Sequence, residues 1–348
     1  MRIRIRIDIE PRTLHFRFPA GTSRGIYTER RNWLLRMTSP DDRAFCGVGE
    51  CAPLPDLSCD YGAHYAEQLR AACDEVERIG RIDTEALRPF PSILFGLETA
   101  WLSAQAAANG RRVLFDTPFT RGERGIVTNG LVWMGDHATM ARRLAEKLSQ
   151  GFRCIKVKIG AIGFDDELDL LTRARALYNT ECVELRVDAN GAFTPSEAHD
   201  KLRRLATYGL HSIEQPLRAG QWEEMAALCR ACIVPIALDE ELIGVTRPED
   251  KRALLDTVRP QYLVLKPSLH GGFAGCEEWI SLATERGIGW WVTSALESNV
   301  GLSAISQWLS VRIGDSAMPQ GLGTGELYTD NISVPALRME GEKLWYRP

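Results

Sequence analysis

The opening stretch MRIRIRIDIEPRTLHFRF alternates charged and apolar side chains with period two. A strand with one buried and one wet face gives that rhythm. It returns in RNWLLRMTS and in AFCGVGECAPLPDLS, with GTSRGIYTER (21–30) reading as a loop between the first strands. The period then lengthens. Apolar residues recur at three- and four-residue spacing over 63–80 and 91–109, which predicts two helices. From about residue 125 strand and helix patterns alternate. Eight strand candidates follow: IVTNGLVW (126–133), CIKVKI (154–159), VELRVD (183–188), HSIEQ (211–215), PIALD (235–239), YLVLK (262–266), WWVTS (290–294) and the short QGLG (320–323). The helix after the third opens with TPSE, where Thr194 and Glu197 suit a capping box around Pro195.

Eight such steps in roughly 200 residues predict an α/β fold, a (β/α)8-type barrel whose last unit is weak. The expected organisation is an α+β capping domain over 1–120, the barrel over 121–325, and a tail over 326–348. In that tail ISVPAL and KLWYRP read as strands returning to the N-terminal sheet. The natural breaks lie near 110–125 and 324–330.

Composition narrows the partners. A net charge of -4 gives no electrostatic reason to expect nucleic acid or an anionic membrane. No stretch approaches the roughly 18 apolar residues of a membrane span, and the amino terminus lacks the apolar core of a secretory signal. A cytoplasmic protein is expected, and no pattern specifies an oligomeric state. The cysteines number nine, an odd count, scattered through apolar segments. Free buried thiols account for them, and the CxxC of Cys229 and Cys232 has no second pair nearby, so it reads as core packing.

The chemistry sits where apolar strands end. From Lys158, steps of 30, 26, 25, 27 and 28 residues lead to Asp188, Glu214, Asp239, Lys266 and Ser294. Each step is one strand plus one helix, and barrel sites form at the carboxyl ends of strands. A single strand-end lysine is usually a solvated rim, and a single aspartate is often a helix cap. Five ionisable groups on five successive strands are not explained that way. Strands three to five are neighbours, so Asp188, Glu214 and Asp239 converge. Three such anions repel unless a hard divalent cation joins them, which favours Mg²⁺, or Mn²⁺, over Zn²⁺. Lys158 and Lys266, four strands apart in a ring of eight, face each other across that centre. The ammonium of Lys156, on the same strand face as Lys158, lowers the basicity of its neighbour, as a cation does. The implied reaction is proton abstraction from the carbon next to a carboxylate, through an enediolate. Asn190 and Glu240 either orient a ligand or cap the following helix.

The motifs KVK (156–158), VDAN (187–190), IEQP (213–216), LDE (238–240) and LKPS (265–268) resemble those of the enolase superfamily, in its muconate-lactonizing-like subgroup with KxK on the second strand. The resemblance spans nearly the whole chain. Within the subgroup, GVGECAPLPDLS (47–58), NGLVWMG (129–135), KPSLHGG (266–272), SALESNVGL (294–302) and GLGTG (321–325) are most similar to the dehydratases of menaquinone biosynthesis. Dipeptide epimerases carry an Asp-rich motif on the last strand, whereas GLGTGELYTDN has no acid before Glu326.

The resemblance implies a lyase that dehydrates 2-succinyl-6-hydroxy-2,4-cyclohexadiene-1-carboxylate. It implies Mg²⁺ on Asp188, Glu214 and Asp239, Lys158 as the base that returns its proton to the departing hydroxyl, and Lys266 as a cation stabilising the enediolate through a cation–π contact with the ring. Thr293, Ser294 and the amides of Gly321 to Gly323 become candidates for the succinyl carboxylate. Arg24 becomes either a cationic lid residue or a solvated loop charge. Ala52 to Leu57 become an apolar lining or a rigid turn. An N-acylamino acid racemase using both lysines is the main alternative, and a non-catalytic binding barrel a remote one.

Overall fold

The computed structural model describes residues 3–22, 25–314, 318–324, 327–332 and 337–347. The period-two segments form an antiparallel sheet of β1 (Arg6–Thr22), β2 (Gly25–Thr38) and β3 (Cys46–Cys51), in that order. The loop expected at 21–30 is largely strand. β1 and β2 pair as far as Thr22↔Gly25, and Ile26, Tyr27 and Thr28 favour extended chain. Arg24 lies outside the described residues.

Helices α1 (Tyr65–Ile79) and α2 (Pro91–Ala108) cover this sheet. The two glycines of GVGE explain how closely. A Cβ on Gly47 would sit 2.2 Å from Ala104 N, and one on Gly49 would sit 2.0 Å from Gly96 O. Only glycine lets β3 lie against α2 at that distance. Leu35, Met37, Leu69, Ile93 and Leu97 fill the core between sheet and helices.

The second part begins with β4 (Ile126–Val127), β5 (Gly130–Val132), α3 (His137–Ser149), β6 (Cys154–Lys158), α4 (Phe164–Leu177) and β7 (Glu184–Asp188). It continues through α5 (Pro195–Ala206), β8 (Ser212–Glu214), α6 (Trp222–Ala231), β9 (Ile236–Leu238), α7 (Pro248–Val258), β10 (Tyr262–Leu265), α8 (Gly272–Glu285), β11 (Gly289–Val292) and α9 (Asn299–Arg312). The predicted capping box at Thr194 and Glu197 opens α5. Strands β5 to β11 pair in parallel in chain order.

Two strand assignments change. The segment 126–133 is split: β4 leaves the barrel, and only β5 joins it. The expected strand at 320–323 is reduced to parallel bridges, Thr128↔Gln320 on one side and Thr293↔Gly321 on the other. Those two residues link the edges of the curled sheet. With so short a segment flanked by glycines, no longer ladder forms.

Alternation along the strands sorts the side chains. Ile155, Val157, Leu185, Val187, Ile213, Ile236, Leu238, Leu263 and Leu265 pack with the helices. Their neighbours point inside, where Ala237, Val264 and Trp291 form a separate apolar cluster. The floor holds a buried charge as well. The Arg186 guanidinium lies 4.3 Å from the Trp291 ring, donates to Glu184 Oε1 at 2.7 Å and donates to Pro319 O at 3.1 Å.

The tail also departs from expectation. β12 (Leu337–Glu340) and β13 (Lys343–Tyr346) form a hairpin that pairs with β4, through Leu344↔Ile126, rather than with the N-terminal sheet. Among the described residues of the tail, 327–330 return to β1: Arg17 N donates to Leu327 O at 2.7 Å, Thr329 N to His15 O at 2.9 Å, and His15 N to Asp330 Oδ1 at 2.8 Å. All nine cysteines are free. Five are buried, but Cys46, Cys59, Cys182 and Cys232 are exposed; Cys232 ends α6 with a left-handed φ of 43° instead of packing in the core.

Candidate active site

The register of β6, β7 and β8 sets the first three groups side by side. Lys158 pairs with Asp188, and Asp188 with Glu214. In-register neighbours on one face of a parallel sheet share an environment, so these side chains meet at the barrel mouth. Asp239 follows β9. Its position is fixed by Gln215, a residue that sequence reasoning passed over. Gln215 Oε1 accepts from Asp239 N at 3.1 Å and Glu241 N at 3.2 Å, while its Nε2 donates to Leu217 O and Glu241 Oε2, both at 2.9 Å. The IEQP motif therefore locks the end of one strand to the start of the next turn.

One carboxylate oxygen each from Asp188, Glu214 and Asp239 lies within 4.8 Å of the other two, and all three residues are buried. Three ammonium groups face them. Lys156 Nζ is 2.8 Å from Glu214 Oε2 and 3.4 Å from Asp188 Oδ2, Lys158 Nζ is 3.1 Å from Asp188 Oδ2, and Lys266 Nζ is 2.5 Å from Asp239 Oδ2. Lys156 thus does not stand beside Lys158 as an isolated ammonium.

Burial and charge compete here. Burial alone would weaken the Lys156 and Lys266 ammonium groups, but the surrounding carboxylates more than offset it and both are shifted upward. Burial alone would push Asp188 up, but Lys158, Lys156 and Lys266 hold it well below the usual carboxylate range. For Glu214 burial wins, and its carboxyl is pushed up to about 7. Buried oxygens of Glu214 (Oε1), Asp239 (Oδ1) and Glu240 (Oε2) have no hydrogen-bond partner. Oxygens left unpaired inside a protein are costly, and those of Glu214 and Asp239, in the cluster with Asp188, fit a hard divalent cation.

Asn190 and Glu240 face the site and cap no helix. Asn190 Oδ1 accepts from Lys158 Nζ at 2.8 Å, and Asn190 Nδ2 donates to Glu240 Oε1 at 2.9 Å. Asn190 adopts a left-handed φ of 44°, which asparagine tolerates better than most residues. The Trp133 ring centroid lies 5.9 Å from Lys158 Nζ.

A cavity of about 610 Å³ opens above these groups. Lys156, Lys158, Asp188, Asn190, Glu240 and Lys266 line it, whereas the fully buried Glu214 and Asp239 sit behind them. Leu54, Leu57 and Trp133 supply apolar wall, in line with the role expected of 52–57. Thr293, Ser294, Gly321 and Gly323 also line it. Both hydroxyls are already engaged: Thr293 Oγ1 donates to Gly321 O at 2.9 Å, and Ser294 Oγ donates to Glu297 Oε2 at 2.7 Å. The Arg24 expectation lies outside the described residues.

Residues 139–342, more than half of the chain, match the family described as "Enolase C-terminal domain-like". The o-succinylbenzoate synthase of Desulfotalea psychrophila is 45% identical over 92% of this chain and 93% of its own length. The chain belongs to the enolase superfamily, among the o-succinylbenzoate synthases. The crystal structure of MenC from Desulfotalea psychrophila LSv54 superposes with a TM-score of 0.82 at 39% identity, covering 98% of this chain and 99% of that one. The L-Ala-D/L-Glu epimerase of Bacillus subtilis superposes almost as well, at 0.81, with 20% identity over 100% of this chain and 97% of its own. The superfamily fold thus hosts both kinds of chemistry, and the shape alone does not choose between them.

Proposed function

We propose that this chain is an o-succinylbenzoate synthase: a cytoplasmic Mg²⁺-dependent lyase of menaquinone biosynthesis that removes water from 2-succinyl-6-hydroxy-2,4-cyclohexadiene-1-carboxylate to give 2-succinylbenzoate. The observation that carries the reading is the pair of lysines on opposed strands flanking a buried three-carboxylate centre, in a chain 45% identical to an o-succinylbenzoate synthase. Asp188, Glu214 and Asp239 would hold the ion, with Mn²⁺ able to replace Mg²⁺. A divalent cation there supplies charge neutralisation for the substrate carboxylate.

The chain's own groups do the rest. Lys158 Nζ takes the proton from the ring carbon bearing the carboxylate, and the electrons of that C–H bond become the enediolate. As the ring becomes aromatic, the C–O bond to the hydroxyl breaks on the same face. Lys158, now protonated, returns its proton to the departing oxygen, so water leaves and the enzyme is restored. Lys266 stays protonated and stabilises the negative charge from the other side. Asn190, held by Glu240, orients Lys158 through its Oδ1. Lys156 neutralises Glu214 and Asp188 from beneath. Aromatisation favours the elimination, so less is demanded of the geometry than in a racemase.

The two lysines would also serve a racemase, which takes protons on opposite faces. The discriminating experiment incubates the purified protein with Mg²⁺ in D2O, once with the cyclohexadiene substrate and once with N-succinyl amino acids. Fast formation of aromatic product and slow α-proton exchange are expected. Fast exchange without dehydration would replace this reading with the racemase.

A further inference from the structure

The strand order divides the barrel mouth into two halves. The ends of β7, β8 and β9 carry the carboxylates, and Lys158 at the end of β6 and Lys266 just after β10 flank them. For a substrate whose carboxylate lies at the three acids and whose ring lies between the lysines, the cavity continues towards β11, the 320–321 bridges and β5. On the β11 side the wall is the loop Ser294–Ser298, of which Ser294, Ala295 and Leu296 line the cavity.

Part of that loop is held from within: Ser294 Oγ and Ala295 N donate to Glu297 Oε2 at 2.7 and 2.8 Å, and Leu296 N donates to Ser294 Oγ at 3.0 Å. These bonds leave the Ala295 and Leu296 carbonyls and Ser298 N to be fixed from outside. Leu296 has a φ of 65°, which a branched apolar side chain keeps only when its surroundings impose it. Much of what imposes it comes from the cap. The buried Arg30 of β2 donates to Ala295 O and to Ala52 O. Glu50 of β3 is fully buried and accepts from Ser298 N at 2.9 Å, Ser298 Oγ at 2.6 Å and Gly301 N at 2.7 Å, while Asn32 Nδ2 donates to it at 2.5 Å. A Cβ on Gly301 would lie 2.7 Å from Glu297 Cβ and 2.9 Å from Glu50 Oε2, so glycine suits this crowded approach. Tyr328 Oη, beside the cap, donates to Leu296 O at 2.6 Å. Glu50 also sits at the first turn of α9, where a carboxylate is favoured by the free amides.

We infer that Glu50, acting with Arg30, is a positioning residue for substrate selection: the cap sets the shape of the Ser294–Ser298 wall, and that wall recognises the succinyl arm. The inference rests on the function proposed above. Glu50 touches no reacting atom. Its effect falls on the part of the ligand that meets the loop, and leaves the metal and the ring carboxylate alone.

The test measures binding of 2-succinylbenzoate and of benzoate, which lacks the arm, to the Mg²⁺-loaded protein by titration calorimetry. Glu50→Gln keeps the size but places an amide NH2 against N–H donors. It is expected to weaken 2-succinylbenzoate about tenfold and benzoate less than about twofold. Tyr328→Phe, which removes only the hydroxyl on Leu296 O, is expected to show the same selectivity at about threefold, and serves if Glu50→Gln does not fold. Equal weakening of both ligands, or no change in either, would overturn the inference. A wild-type protein that binds the two ligands alike would sink the functional reading and this inference with it, whereas a strong wild-type preference unaltered by either variant would sink the inference alone.

Discussion

Lys158 is held by a chain of side chains: Glu240 fixes the Asn190 amide, and the amide oxygen faces the ammonium. An amine on a four-carbon stem is mobile, and proton transfer needs it at hydrogen-bond reach of the substrate carbon. Asn190→Ala should therefore lower kcat by about ten- to hundredfold while changing KM little, as measured by steady-state kinetics at saturating Mg²⁺. A rise in KM with kcat unchanged would place Asn190 in ground-state binding instead. At this scale much was legible. Lys158, Asp188, Glu214, Asp239 and Lys266 announce themselves because each ends an apolar strand at a regular spacing. Gln215, Arg186 and Glu50 do not, because the partners that make them necessary are distant: Glu50 meets Ser298, and Arg186 meets Pro319 and Trp291. A single-residue reading has no access to such pairs.

Helix ends supply two tests. Glu98 of α2 accepts from Phe273 N at 2.6 Å and Ala274 N at 3.0 Å, capping the start of α8. Burial pushes its carboxyl from an ordinary 4.5 up to about 7, and the two backbone donors offset this only in part. Below about pH 4.5 the folded and unfolded chains both hold that proton. Between there and about pH 7 the unfolded chain releases it while the folded chain keeps it, so rising pH destabilises the fold over that window. Urea melts across the window should show wild type losing ground relative to Glu98→Gln as pH rises. A difference that stays flat would contradict the assignment. The capping box of α5 makes the complementary case, because it lies away from the cavity. Thr194→Ala should lower stability by about 1 kcal/mol with kcat unchanged, and a loss of activity at full folding would refute that separation. The box was readable from TPSE alone, since its partners are three residues apart. The split of 126–133 into β4 and β5 was not, because the partner of β4 is β13, more than two hundred residues on.

At the scale of the molecule, the βα rhythm that starts near residue 125 identified the barrel and its open end. The placement of the tail was beyond that rhythm. Alternating residues in KLWYRP specify a strand but not which exposed edge it joins, and the edge of β4 took it. The parts act together: carboxylates and lysines come from the barrel, while the cap closes the cavity with Leu54 and Leu57 and braces the loop after β11. The central claim is that Lys158 performs proton abstraction at a metal centre that does not need it for assembly. The direct measurement is the rate of aromatic product formation, followed by ultraviolet absorbance with Mg²⁺, for wild type and Lys158→Ala, each with its Mg²⁺ affinity determined by calorimetry. The account predicts that the variant still binds Mg²⁺, that its rate falls by at least about a hundredfold, and that EDTA abolishes the wild-type rate. Dehydration that survives EDTA or the loss of the Lys158 amine would contradict it.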